Sequence, residues 1–196
     1  CFVYNSAKKV STFESSNRIF NAAHRLIEKA VRSNMQSVFT DCPHREKLGW
    51  LEQVHLNGPG LLYNYDLTAY APQIMQNMVD AQHSNGAMPT TAPEYVIFEG
   101  PGMDAFAESP EWGGSLVIFP FMYYETYGDD SLIKKYYPNM RRYVDYLKTR
   151  ADKGILSFGL GDWYDYGDFR AGFSRNTPVP LVATAHYYMT VMYLVQ

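Results

Sequence analysis

Residues 17–34 read NRIFNAAHRLIEKAVRSN, and their spacing predicts a helix. Ile19, Phe20, Ala23, Leu26, Ile27 and Ala30 recur at intervals of three and four, the period that gathers side chains on one helical face. Ser15, Ser16 and Asn17 stand just before them, with side-chain oxygens suited to the first unpaired helical N–H groups. Downstream, the run 59–83 predicts a helix interrupted near Pro72 and ended by Ser84-Asn85-Gly86. Residues 111–127 predict another, ended by Gly128-Asp129, and 130–150 give one or two more with Pro138 in a first turn. Residues 181–196 read as an apolar helix whose face needs a partner, which implies a piece of a larger protein. No strand alternation competes; 94–98 and 154–158 are short pieces suited only to local pairing. The fold class is therefore all-α, with about six helices arranged as helical hairpins.

The bulk properties narrow the function classes. A chain of 196 residues suffices for one substantial domain. With 46% hydrophobic and 19% charged residues it is globular rather than disordered. The net charge is −3 with no basic run, which argues against a nucleic-acid partner. No apolar stretch reaches the roughly 18 residues of a membrane span. Cys1 and Cys42 make no disulfide framework, and a bridge between them stays open. Neither the cysteines nor the five scattered histidines show a metal-ligand spacing, so no metal and no cofactor is expected. Aromatics are 16% of the chain. Their faces stack on the C–H faces of sugars, and they serve equally well as core packing.

Chemistry-bearing residues concentrate in three loops. The first, 41–50, is DCPHREKLGW, with Asp41, Arg45 and Glu46 crowded between Pro43 and Gly49. An Arg beside two carboxylates can hold one ionised while burial keeps the other protonated, the split that acid–base chemistry needs. The second is Pro110-Glu111-Trp112-Gly113-Gly114-Ser115, and the third runs from Gly159 through Asp162 and Trp163 to Tyr166. By residue type alone each has a plainer reading: a surface salt-bridge cluster, a helix cap beside a core Trp, a rigid turn. Together they are more telling, because each of the three tryptophans sits beside a carboxylate in a glycine-bearing loop. Aromatic walls with a few placed carboxylates are the character of a sugar site.

The stretch NMQSVFTDCPHREKLGW at 34–50 closely resembles the signature of the bacterial α-L-rhamnosidases of glycoside hydrolase family 78. FESSNRIFN at 13–21, PEWGG at 110–114 and GLGDW at 159–163 follow the family's order, so the resemblance spans nearly the whole chain. It implies an (α/α)6 toroid of which this chain is about the first half, with 1–12 a linker or the end of a preceding domain and 13–196 the N-terminal part of the catalytic domain. It implies hydrolysis of terminal α-L-rhamnosides with inversion, on rhamnose-containing glycosides or polysaccharides, in a periplasmic or secreted setting. Carried over residue by residue, Glu46 is the general acid. Asp41 and Arg45 hold sugar hydroxyls. Trp50, Trp112 and Trp163 line the pocket, with Asp162 supporting that wall. Where many members carry Gly-Asp after the first Trp, this chain has Glu52 and Gln53, so Gln53 supplies a neutral hydrogen bond or substrate preference differs. The family's general base lies in the second half of the toroid, beyond Gln196, which leaves this chain inactive alone. Another glycosidase or a lyase on the same toroid, or a sugar-binding remnant, are the competing expectations.

Overall fold

A computed structural model describes residues 4–196. A Cys1–Cys42 bridge therefore involves a residue outside the described ones. The helices are α1 (Arg18–Asn34), α2 (Glu52–Leu56), α3 (Gly58–Asn64), α4 (Ala71–Ala81), α5 (Asp104–Ala107), α6 (Pro110–Gly113), α7 (Ser115–Tyr127), α8 (Ser131–Arg150) and α9 (Val179–Leu194). Strands β1 (Asp165–Gly167) and β2 (Phe169–Gly172) form a small antiparallel hairpin between α8 and α9. The all-α class holds, with this hairpin inside a stretch expected to be irregular.

Helix α7 is the centre of the fold. Every residue from Ser115 to Phe121 is buried, and α2, α3, α4, α8 and α9 pack around it. A helix apolar on all sides belongs in a core rather than at a surface. Its partners contribute single faces: Ile74, Met75 and Met78 from α4, and Leu132, Tyr136, Met140, Tyr143 and Leu147 from α8. Each such side chain contributes roughly 1.5–3 kcal/mol through burial. At the end of α7, Gly128 adopts φ +68 and its amide caps the Tyr124 carbonyl.

Two prolines sit otherwise than expected. The break in 59–83 falls at Tyr65–Tyr70, and Pro72 occupies the first turn of α4, where a missing N–H costs nothing. Pro138 lies inside α8, not at a helix start. It is on the exposed face, and the buried row on the opposite face carries the helix through the lost hydrogen bond.

Helix α1 starts where the capping residues place it, with the Asn17 side chain accepting from the Ile19 amide. Its apolar stripe is uncovered among the described residues: Ile19, Phe20, Leu26 and Ile27 are all exposed. Helix α9 buries only Ala183 and Thr190, and leaves Leu181, Tyr188 and Met192 exposed. Residues 8–10, expected as linker or the end of a preceding domain, run beside 64–66, with Lys9 bridged to Tyr65.

Three long connections, 35–51, 82–109 (which holds the short α5) and 151–178, are stitched together by hydrogen bonds. Leu51 N–H donates to the Thr90 carbonyl at 2.8 Å, and Ala92 N–H to the Gly49 carbonyl at 2.9 Å. A Cβ on Gly49 would stand 2.5 Å from the Ala92 oxygen, so glycine alone allows this approach. The 151–178 connection joins through Leu160 N–H, which donates to Ser109 Oγ at 2.9 Å.

Candidate active site

The turn 41–48 presents the acid. Asp41 N–H donates to the Leu48 carbonyl at 3.2 Å and Lys47 N–H to the Cys42 carbonyl at 3.0 Å, with Lys47 in the left-handed region at φ 59. Cys42 is buried beneath the turn and accepts from the Glu46 amide at 3.4 Å. Glu46 and Asp41 are thereby held on the exposed side, close together. The indole N–H of Trp50 donates to Glu46 Oε2 at 2.6 Å.

Burial pushes the Glu46 carboxyl above the usual carboxylate range. The Trp50 hydrogen bond opposes this, neighbouring Asp41 adds to it, and Arg45 acts weakly against it. Arg45 is exposed and forms no ion pair with Asp41 or Glu46 among the described residues, so the guanidinium stays available to a ligand. Asp41, Cys42 and Glu46 place possible ligand atoms within 4.8 Å of one another. Protonation by a carboxyl needs no metal there.

Two residues after Trp50 comes a second carboxyl. Glu52 Oε1 accepts from Gln53 Nε2 at 3.0 Å, whereas the buried Oε2 has no partner among the described residues. Burial raises this group to about 7, and Asp41 and Glu46 add their repulsion. Gln53 also accepts from Asn57 at 2.6 Å and, with Asp41, borders a cavity of about 430 Å³ between α1 and the α2–α3 region. Glu46, Trp50 and Trp163 do not border that cavity. Trp50 and Trp163 belong to an aromatic wall, to which Glu46 is tied by the Trp50 hydrogen bond.

That wall joins all three connections. Trp50 stacks on Phe98 with centroids 5.4 Å apart and planes at 26°. Phe106 stands edge-on to Trp50 at 6.4 Å and to Trp163 at 5.2 Å. Phe173 completes it, 5.5 Å from both Phe106 and Trp163. Offset and edge-on pairs of this kind add roughly 0.5–1.5 kcal/mol each beyond area burial. The wall thus unites two of the tryptophans singled out in the sequence. Phe98, Phe106 and Phe173 carry no signal in the sequence, because an isolated Phe in a loop or a single helical turn shows no periodicity.

Trp112 stands apart from that wall. Expected on the pocket wall, it is 4% exposed and packs in the core cluster, its buried indole nitrogen without a partner among the described residues. The turn α6 points it inward, against the same core that receives α7. Asp162 is exposed at the tip of its loop. The organising carboxylate of that region is Asp165, which accepts from the amides of Arg175 and Asn176 at 2.6 and 2.8 Å and from the Asn176 side chain at 2.6 Å. Those backbone amides hold its carboxyl below the ordinary range.

Residues 8–196 match the family model described as the bacterial alpha-L-rhamnosidase 6 hairpin glycosidase domain. An alpha-L-rhamnosidase of Formosa agariphila is 32% identical over 167 residues, covering 82% of this chain and 17% of that protein. The alpha-L-rhamnosidase structure from Dictyoglumus thermophilum superposes with a TM-score of 0.86 at 26% identity, covering 97% of this chain and 21% of its own. That of Streptomyces avermitilis, complexed with L-rhamnose, gives 0.84 at 27% identity, covering 97% and 17%. The chain therefore spans about a fifth of the relatives it matches. A match over nearly its whole length, on a fold of this kind, establishes that the chain belongs to the bacterial α-L-rhamnosidase six-hairpin glycosidase family.

Proposed function

We propose that this chain forms the acid-bearing part of an inverting α-L-rhamnosidase site. The Trp50–Glu46 hydrogen bond carries the reading, since it fixes a carboxyl with a raised proton affinity at the edge of an aromatic wall. A rhamnoside's leaving oxygen departs poorly unless protonated, and a carboxyl of raised proton affinity can supply the proton. Glu46 donates that proton as the glycosidic bond breaks. Asp41, Arg45 and Gln53 hold sugar hydroxyls. Trp50 and Trp163 offer ring faces to the sugar, with Asp162 beside the wall. Inversion requires a second carboxyl, roughly 6.5–9.5 Å from the acid, to activate water on the opposite face. In this reading it comes from the part of the domain that packs on the exposed faces of α1 and α9, and the chain alone is inactive.

The test uses a protein carrying this chain within a complete six-hairpin domain. Glu46→Gln lowers kcat about a hundred- to ten-thousand-fold on alkyl rhamnosides. The loss is far smaller on 2,4-dinitrophenyl rhamnoside, whose leaving group needs no proton. Near-normal hydrolysis of the alkyl substrate by Glu46→Gln would refute the assignment.

A further inference from the structure

Glu111 has no part in the proton transfer, yet it lies under the loop that carries Trp163. It is 4% exposed, an unusual place for a carboxyl without a matching cation. The Ser109 hydroxyl donates to its Oε2, and the same Ser109 oxygen accepts from the Leu160 amide at 2.9 Å. Burial pushes the carboxyl up to about 7, against the Ser109 hydrogen bond and the amides of Glu111 and Gly161. The loop is shaped to this seat. Gly159 adopts φ +109, and a Cβ there would fall 2.6 Å from Ser109 Oγ and 2.9 Å from Glu111 Oε2. Two residues beyond Gly161, Trp163 leaves the loop, its amide bonded back to the Gly161 carbonyl at 2.9 Å, and enters the wall beside Phe106.

We infer that Glu111 is a positioning residue for the sugar wall, acting through Ser109 and the 159–161 backbone to fix where Trp163 stands. A structural carboxyl elsewhere in the core would serve stability alone; this one is connected to Trp163 through the Ser109 and Leu160 hydrogen bonds, the Leu160–Gly161 backbone and the bond from the Trp163 amide to Gly161. The 110–114 and 159–163 segments are in this view one device, the first the seat and the second the arm. The inference relies on the proposed role of Trp163 only where activity is measured.

Substituting 5-fluorotryptophan gives one fluorine resonance for each of Trp50, Trp112 and Trp163, with Trp163 assigned by W163F. Ser109→Ala and Glu111→Ala shift and broaden the Trp163 resonance more than that of Trp50, and Glu111→Gln, which keeps an acceptor for Ser109, restores it. A Trp163 resonance unmoved in Ser109→Ala overturns the inference. Should Glu111→Ala unfold, its three resonances merge, and the milder Ser109→Ala decides. This readout needs no substrate, so it stands apart from the rhamnosidase reading. In the complete domain, Glu111→Ala raises KM for a rhamnoside about tenfold with kcat little changed, the mark of lost sugar binding. A fall in kcat at constant KM counts against it.

Discussion

Trp50 and Glu46 are joined by a 2.6 Å hydrogen bond across the foot of the acid turn, and this bond acts against the burial that raises the carboxyl. The indole thus has two duties. Its N–H restrains the proton affinity of the acid, and its ring stacks on Phe98 to begin the aromatic wall. The two duties separate in a Trp50→Phe variant, which keeps a ring and loses the donor.

Without that donor the Glu46 carboxylate loses a stabilising partner and its proton affinity rises further. The acid then stays protonated to higher pH. In the complete domain the alkaline limb of the kcat/KM profile moves upward, and the rate at the optimum falls roughly tenfold for the lost interaction. A pH–rate series on an alkyl rhamnoside checks this. A limb that stays in place or moves downward would separate Trp50 from the acid's titration.

Trp112 and Trp163 make a contrasting pair. Trp112 is in the core, whereas Trp163 is half-buried in the wall. Trp112→Phe leaves a void and lowers unfolding stability by about 1–3 kcal/mol. Its effect on L-rhamnose affinity is negligible. Trp163→Ala does the reverse, weakening rhamnose binding with the smaller stability loss. Denaturant melts and calorimetric titration of both variants measure the two quantities; a Trp112→Phe variant that loses sugar affinity at unchanged stability would return Trp112 to the pocket.

The legible parts of the sequence are the long helices. In α1, α4 and α8 the apolar spacing shows one face, whereas α7 and α9 are legible as apolar runs of helical length. Pro138 misled because local preference favours a helix start, while the buried row from Leu132 to Leu147 overrides it. The hairpin β1–β2 was invisible for a different reason. Its strands span three and four residues, and the Asp165 side chain bonding to Arg175 and Asn176 organises its base. At the site, the acid turn was readable as a motif, but the inward turn of Trp112 and the burial of Glu52 depend on what packs over them. Such cover is a tertiary property, and adjacent residues do not encode it.

Gly159 offers a test of the loop seat by sterics alone. Its φ of +109 strains any L side chain, and the added methyl would overlap Ser109 and Glu111. Gly159→Ala therefore costs about 1–3 kcal/mol from the backbone, with further loss from the displaced hydroxyl. A thermal melt unchanged from the parent chain would mean that the 159–161 backbone moves freely away from its seat.

Glu52 supplies a prediction whose sign is set by linkage. Its carboxyl rises from 4.5 to about 7 on folding, so the folded chain prefers it protonated. The stability it contributes is present in full below the unfolded value and is lost as pH climbs toward 7. Over that window the loss amounts to roughly 3 kcal/mol. Glu111 has the same sign and the same window, since burial raises it likewise to about 7. These two carboxyls therefore lower the unfolding free energy as pH rises from 4.5 to 7, while His55, whose imidazole burial lowers to about 4, acts the other way over the same range. Glu52→Gln removes about half of the carboxyl contribution to the slope, and Glu52→Gln with Glu111→Gln removes most of it. Urea melts at half-unit steps of pH give the slopes directly. If Glu52→Gln leaves the slope as it was, Glu52 is ionised in the folded chain, and the unpartnered Oε2 is not the seat of a held proton.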